Sequence, residues 1–226
     1  MSESAGISIF SDKERRFLRG AVHGLNASPE VYKPVSSISV VGAQFHTHSL
    51  SQLFRMKGSE MVNQSISLDE FRSESIERLK DAQDLRGKID HLGAFLKERL
   101  PVNTDTFAAD CIRFIRNAKG DVTVKGLQNE FRVSERKLER KFAAEVGVSP
   151  RFFIKMMRFR QAFETLKNGH GKSMTELAYE LGYFDQAHFI NEVKRLSGLT
   201  PKQLQQRLHS VPVNQRGYTR YLIDPI

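Results

Sequence analysis

Apolar residues recur at three-to-four spacing through most of the chain after residue 49, whereas alternation with polar residues is confined to the N-terminal part. Residues 17–24 (FLRGAVHG) and 38–46 (ISVVGAQFH) carry β-type residues in partial alternation and read as strands. Asn26-Ala27-Ser28-Pro29 and Lys33-Pro34 mark turns between them, and the polar residues 1–15 read as loose. A short helix begins at Ser49, with Leu50, Leu53 and Phe54 in one stripe. Residues 68–100 are helical, with Phe71, Ile76 and Leu79 followed by Ile89, Leu92, Phe95 and Leu96, and Gly87 marks the expected break between two helices. Pro101-Val102-Asn103 reads as a linker. Residues 104–118 form a further amphipathic helix with Phe107, Cys111, Phe114 and Ile115 inward, and the helical pattern then runs almost to Leu208.

Within that helical half the sequence duplicates itself. Residues 124–150 (VKGLQNEFRVSERKLERKFAAEVGVSP) match residues 174–201 (MTELAYELGYFDQAHFINEVKRLSGLTP). Leu127 and Phe131 match Leu177 and Leu181 at an offset of 50. Ser134, Leu138, Phe142, Gly147 and Pro150 match Asp185, Phe189, Val193, Gly198 and Pro201 at an offset of 51, so the extra residue falls in the turn. Each copy predicts a helix, a tight turn and a second helix. Ser134 and Asp185 are suited to cap the second helices, since their side-chain oxygens can accept a free backbone N–H. Gly147 and Gly198 stand where those helices should stop. Ser149-Pro150 and Thr200-Pro201 then start the next ones, with proline at the first position. Two helix-turn-helix units in tandem are more specific for duplex DNA than one, because the angle within each unit frees its second helix to enter a major groove. Residues 150–167 form one helix about 27 Å long between the units. Such a spacer suits two reading helices about one DNA turn apart.

Charge sharpens this picture. Of the net +9, residues 1–103 contribute 14 Lys+Arg against 13 Asp+Glu, and residues 104–226 contribute 21 against 13. A basic half joined to a neutral half is the footprint of a polyanion-binding module with a separate partner region. The first unit is the more basic: residues 123–169 hold eleven Lys+Arg and five Asp+Glu, residues 170–208 five and four. In the first unit's second helix the apolar positions leave Arg136, Lys137, Arg140 and Lys141 outward, with Arg136 and Arg140 one turn apart and able to donate in pairs to guanine. Lys141, Lys155, Arg158 and Arg160 are placed for phosphate, and Ser134, Lys137 and Lys194 extend that set. The second unit's second helix presents Gln186, Ala187, His188, Asn191 and Glu192; Gln and Asn suit adenine edges.

Residues 104–208 resemble the DNA-binding domain of AraC/XylS-type transcription regulators. The resemblance rests on VSERKLERKFAAEVGVSPRFFI, on MRFRQAFETLKNG, and above all on Gly182-Tyr183, Asp185-Gln186, His188-Phe189, Lys194, Gly198 and Pro201. It implies a seven-helix domain with two units joined by a long helix. It also implies base-reading roles for Arg136, Glu139 and Arg140 and for Gln186, Ala187, His188 and Asn191; the acidic Glu139 could accept from cytosine N4 or simply repel phosphate. Arg132 stands where the family has a turn glycine, Asn191 where Arg or Lys is frequent, and Val193 where Phe is. Residues 39–71 resemble the end of the sensory domain of one subgroup, where a small β-barrel leads into helices. This chain holds only the last strands of such a barrel, so an enclosed ligand cavity is not expected.

The expected architecture is therefore mainly α: a small α+β sensory or dimerisation region over 1–100, an all-α DNA-binding domain over 104–208, and a tail over 209–226. Double-stranded DNA is the expected partner, with RNA polymerase and a second copy joined through the N-terminal half as further expectations. The single cysteine, Cys111, excludes an intrachain disulfide, and no apolar run reaches the length of a membrane span, so a cytoplasmic protein is expected; the resemblance implies a bacterial one. No cofactor or metal is expected. His46-Thr47-His48, with His23, could offer two imidazoles to one metal, yet no Cys, Asp or Glu follows at ligand spacing. Two other function classes stand beside the regulator. A DNA-repair methyltransferase carrying this domain would need a reactive Cys in a catalytic motif, which Cys111 in ADCIRF does not offer. A helical adaptor that never binds DNA would show no salt-dependent duplex binding.

Overall fold

The computed structural model describes residues 4–12, 14–27, 39–101, 105–169 and 172–210. The expected turn residues Ser28-Pro29 and Lys33-Pro34, linker residues Val102-Asn103, and the tail from residue 211 lie outside them.

Four antiparallel strands, β1 (Ser4–Ser11), β2 (Phe17–His23), β3 (Ser39–His46) and β4 (Ser65–Ser67), form one sheet in the order β3-β1-β2-β4. The stretch expected to be loose thus contains β1, which is paired on both sides. Ile7 faces Val22 on one neighbour and Ala43 on the other. Ala5, Ile7 and Ile9 alternate with polar or small residues and are buried, so a full strand of period two lies in a segment whose composition is polar. Helices α1 (Thr47–Phe54), α3 (Glu74–Asp81) and α4 (Leu85–Glu98) contribute Leu50, Ile76 and Phe95 to the core against the sheet. The break between α3 and α4 falls at residues 82–84, not at Gly87. Asp84 caps α4 by accepting the Gly87 N–H at 2.7 Å, so Gly87 lies in the first turn of the helix it was expected to end.

The C-terminal half is all helix among the described residues: α5 (Phe107–Asn117), α6 (Val124–Phe131), α7 (Glu135–Glu145), α8 (Pro150–Asn168), α9 (Met174–Glu180), α10 (Gln186–Ser197) and α11 (Pro201–Ser210). The duplication reappears as packing. Leu127, Leu138 and Phe142 in the first copy, and Leu177, Phe189 and Val193 in the second, are all fully buried, each trio in its own core. The 19-residue α8 enters both cores, giving Phe153 and Ile154 to the first and Phe159, Ala162 and Leu166 to the second.

The first core is not closed by C-terminal residues alone. Leu25 and Val62 pack into it, and α1 and the one-turn helix α2 (Gly58–Met61) lie against α7. The crevice lined by Gly24, Leu25, Leu50, Gly58, Met61 and Val146 has no room for a water molecule. A Cβ on Gly147 would stand 2.4 Å from the Gly58 carbonyl oxygen, so the two backbones meet directly at this seam.

Candidate nucleic-acid interface

Both helix-turn-helix units are built by the same local chemistry. α6 ends at Arg132 with φ of 49°, and the Val133 N–H returns to the Gln128 carbonyl at 3.1 Å. α9 ends through Gly182 with φ of 73°, and the Tyr183 N–H returns to the Ala178 carbonyl at 2.9 Å. These are matching left-handed stops, with arginine in one and glycine in the other. Ser134 Oγ then accepts the Lys137 N–H at 3.3 Å to start α7, and Asp185 Oδ1 accepts the His188 N–H at 2.7 Å to start α10. Ser149 accepts the Phe152 N–H at 3.1 Å ahead of Pro150, which begins α8.

On α7, Arg136, Lys137 and Arg140 are exposed, and Glu139 is half-buried. Lys137 also lies over the Phe107 ring at 5.9 Å. On α10, Gln186, Ala187, His188 and Asn191 are exposed on the side away from Phe189, Val193 and Leu196, and Lys194 is exposed a turn further on. Gln186 Oε1 accepts from the Thr175 hydroxyl at 2.6 Å, which ties the start of α10 to α9.

Four side chains expected to meet phosphate or to stand outward are engaged within the protein instead. Arg158 is half-buried; its Nε donates to the Gly120 carbonyl at 2.8 Å and its Nη2 to the Val122 carbonyl at 3.4 Å, binding α8 to the loop after α5. Lys155 pairs with Glu192 at 3.1 Å. Glu192 itself, expected to be outward, is only 5% exposed. It also takes His188 Nε2 at 3.1 Å and Arg195 Nη2 at 3.4 Å. Lys141 is held by Asp105 and, at 3.6 Å, by Glu145. The Lys141 hydrogen bond, helped by the Phe107 N–H, holds the Asp105 carboxyl below the usual carboxylate range. Burial, with the Asp105 charge, pushes the Glu145 carboxyl up against the opposing pull of Lys141.

Sequence reasoning passed over one residue here and misplaced another. Phe184, directly before the cap Asp185, is 84% exposed, and an apolar side chain at that place is suited to a thymine methyl. Its signal was available as a large apolar residue inside a turn. Glu192 had no such signal, because its partner Lys155 comes from a different helix.

The other chemistries weighed from sequence turn on Cys111 and on the His46–His48 pair. Cys111 is fully buried on α5, and burial, with Asp110 and Glu145 adding to it, pushes its thiol up to about 12, which suppresses the nucleophilic thiolate. His46 ends β3 and His48 lies in α1, so they do not share a strand; their rings stack at 5.8 Å, and His46 Nδ1 meets Arg116 Nη1 at 2.8 Å. No group of three or more His, Cys, Asp or Glu among the described residues could hold a metal ion. No described helix is long and apolar enough to cross a membrane.

A helix-turn-helix domain family matches residues 127–207, which span both units and α8. Residues 127–207 thus carry a helix-turn-helix domain. The transcriptional activator RhaS of Escherichia coli O139:H28 is 27% identical over 86 residues, covering 38% of this chain and 31% of its own. RhaS of Salmonella arizonae is 26% identical over 92 residues, covering 41% and 33%. The chain thus spans about a third of the length of the curated relatives it matches. Among solved structures, ToxT from Vibrio cholerae aligns with a TM-score of 0.47 and 12% identity over 93% of this chain and 91% of that one. The matched stretch leaves outside it the sheet, α1–α4 and α5, although α1, α2 and α5 pack against α7 within it.

Proposed function

We propose that this chain is a transcription regulator that binds double-stranded DNA sequence-specifically, laying α7 and α10 in successive major grooves. The observation that carries the reading is the repetition of one capped, groove-sized helix at equivalent places, each with its polar face outward, on a rigid spacer about 28 Å long. Arg136, Glu139 and Arg140 read bases in the first unit, and Gln186, Ala187 and Asn191 in the second. Ser134, Lys137 and Lys194 meet phosphate. Residues 104–208 serve as the DNA-binding domain and 1–100 as the partner region, which takes a second copy of the chain; RNA polymerase is the further protein partner. The test is titration of the full chain against a duplex enriched from a random pool and against an unrelated duplex, at several salt concentrations. The reading expects a preference of at least 10³-fold for the enriched duplex and a linear fall of log K with log salt. Equal affinity for both duplexes overturns it in favour of nonspecific binding, and no binding at low salt favours the helical adaptor.

A further inference from the structure

Glu192 and Lys141 occupy the same place in the duplication, at the offset of 51 that relates the second helices of the two units. Both are drawn into ion pairs that tie a reading helix to what lies behind it. Lys141 ties α7 to Asp105, ahead of α5, and Glu192 ties α10 to Lys155 on α8. The charges are opposite, and the mechanical role is the same.

The second brace reaches further into the reading face. His188 is gripped on three sides: Nε2 lies 3.1 Å from Glu192 Oε2, Nδ1 stands 3.4 Å from the Phe184 N–H, and the ring meets Tyr183 edge-on at 5.5 Å. A backbone N–H can only donate, so Nδ1 must accept and the proton sits on Nε2, pointing at the carboxylate. Neither ring nitrogen is then free for a base edge. Burial, with Glu192 adding to it, raises the Tyr183 phenol, which places that hydroxyl in the same enclosed neighbourhood.

We propose that Glu192 is a positioning residue for sequence reading by the second unit: it engages both the exposed His188 ring and Lys155, fixes α10 against α8, and leaves the reading to Gln186, Ala187 and Asn191. This rests on the DNA-binding function proposed above, and it takes His188 out of the expected base-reading set and Lys155 out of the phosphate set. A buried carboxylate that pairs with Lys155 and Arg195 and accepts from the His188 ring also keeps those two cations from attracting phosphate indiscriminately. Removing it releases Lys155 toward solvent and frees the imidazole to turn, so binding becomes tighter to arbitrary DNA and poorer at telling sequences apart.

The test uses the full chain, Glu192→Met, which keeps the side-chain length without the charge, and Glu192→Gln, which keeps one acceptor. Removing one partner of a buried pair is costly when the other charge stays buried, but the Lys155, His188 and Arg195 side chains are 32%, 44% and 57% exposed and can turn to solvent, so Glu192→Met should remain folded. Discrimination is measured as the ratio of affinities for an enriched duplex and for the same duplex scrambled only in the half bound by α10. Glu192→Met should lower that ratio at least tenfold, leave the ratio for scrambling the α7 half within threefold, and steepen the salt slope by about one. Glu192→Gln should fall between Glu192→Met and the parent. In parallel, ¹⁵N shifts of the His188 ring should report the Nε2–H form in the parent and a mixture of forms in Glu192→Met. Unchanged discrimination in Glu192→Met overturns the proposal, as does equal loss in both halves, which marks general disruption. If the parent chain discriminates in neither half, the proposed function fails, and the claim that Glu192 positions sequence reading falls with it. The imidazole measurement still decides the clamp separately: a His188 ring unchanged by Glu192→Met would show that no clamp exists.

Discussion

Gly147 and Gly198 are the same residue of the duplication, and only one of them touches another part of the protein. Both have left-handed backbones, with φ of 92° and 75°. A Cβ on Gly198 would meet nothing within 4 Å, whereas on Gly147 it would lie 2.4 Å from the Gly58 carbonyl oxygen and 2.5 Å from Val62 Cγ2. Gly198→Ala therefore carries only the left-handed penalty, about 1–2 kcal/mol. Gly147→Ala carries a similar penalty together with an overpacking cost of about 1–3 kcal/mol, because the atoms it meets include backbone that cannot step aside. The entropy removed from the unfolded chain is the same in both substitutions and cancels in the comparison. Gly58→Ala approaches the seam from the other side: its Cβ would stand 2.5 Å from the Gly147 nitrogen. Urea unfolding of the three full-length variants, followed by far-UV circular dichroism, gives the costs. Gly147→Ala should exceed Gly198→Ala by at least about 1 kcal/mol, and Gly58→Ala should be destabilising although its own helical backbone accepts alanine. Equal costs for the two repeat-related glycines would refute the direct contact between α2 and α7.

Further outcomes follow from single residues. Arg132→Gly relieves a left-handed arginine and should stabilise the chain by about 0.5–1 kcal/mol in thermal or urea unfolding; a loss of stability would show that the arginine side chain contributes more than its backbone costs. Arg140→Ala should cost about 1–3 kcal/mol of binding and relax one base position, whereas Asn191→Ala should cost less, because a neutral contact releases no counterion. Equal losses in operator titrations would instead support two equivalent reading heads. Asp105 is held below its ordinary range by Lys141, so its contribution is present above the unfolded carboxylate range and is lost as pH falls through the lower folded value. The pair is partly exposed and contributes less than about 1 kcal/mol. Asp105→Asn should flatten stability between about pH 5 and 2 relative to the parent, and parallel curves would contradict the pairing.

The two units were legible in the sequence because their signals are local. Ser134, Asp185 and Ser149-Pro150 announce helix starts within three residues of the atoms they satisfy, and the repeat offset makes each copy a check on the other. β1 was missed because Ala5, Ile7 and Ile9 alternate inside a polar stretch, and only β2 and β3 on either side turn that weak alternation into a buried strand. Gly87 misled because glycine weakens a helix interior, while the stronger local signal, the cap Asp84, lay three residues earlier. The roles of Lys155, Arg158 and Glu192 were not readable. A charged residue on a helix is normally solvated, and these are enclosed only because α8, α10 and the loop after α5 converge in space. The seam at Gly58 and Gly147 is likewise a tertiary fact, although the αL requirement at Gly147 could be read from its place after α7.

In the proposed function, one chain reads DNA with two helices held on a single rigid spacer. Sequencing duplexes enriched by the full chain from a long random pool tests it most directly. The account expects two enriched blocks with centres about 10–10.5 base pairs apart, one richer in guanine for α7 and one richer in adenine for α10. A single enriched block, or two blocks whose separation places them on opposite faces of the duplex, would contradict it.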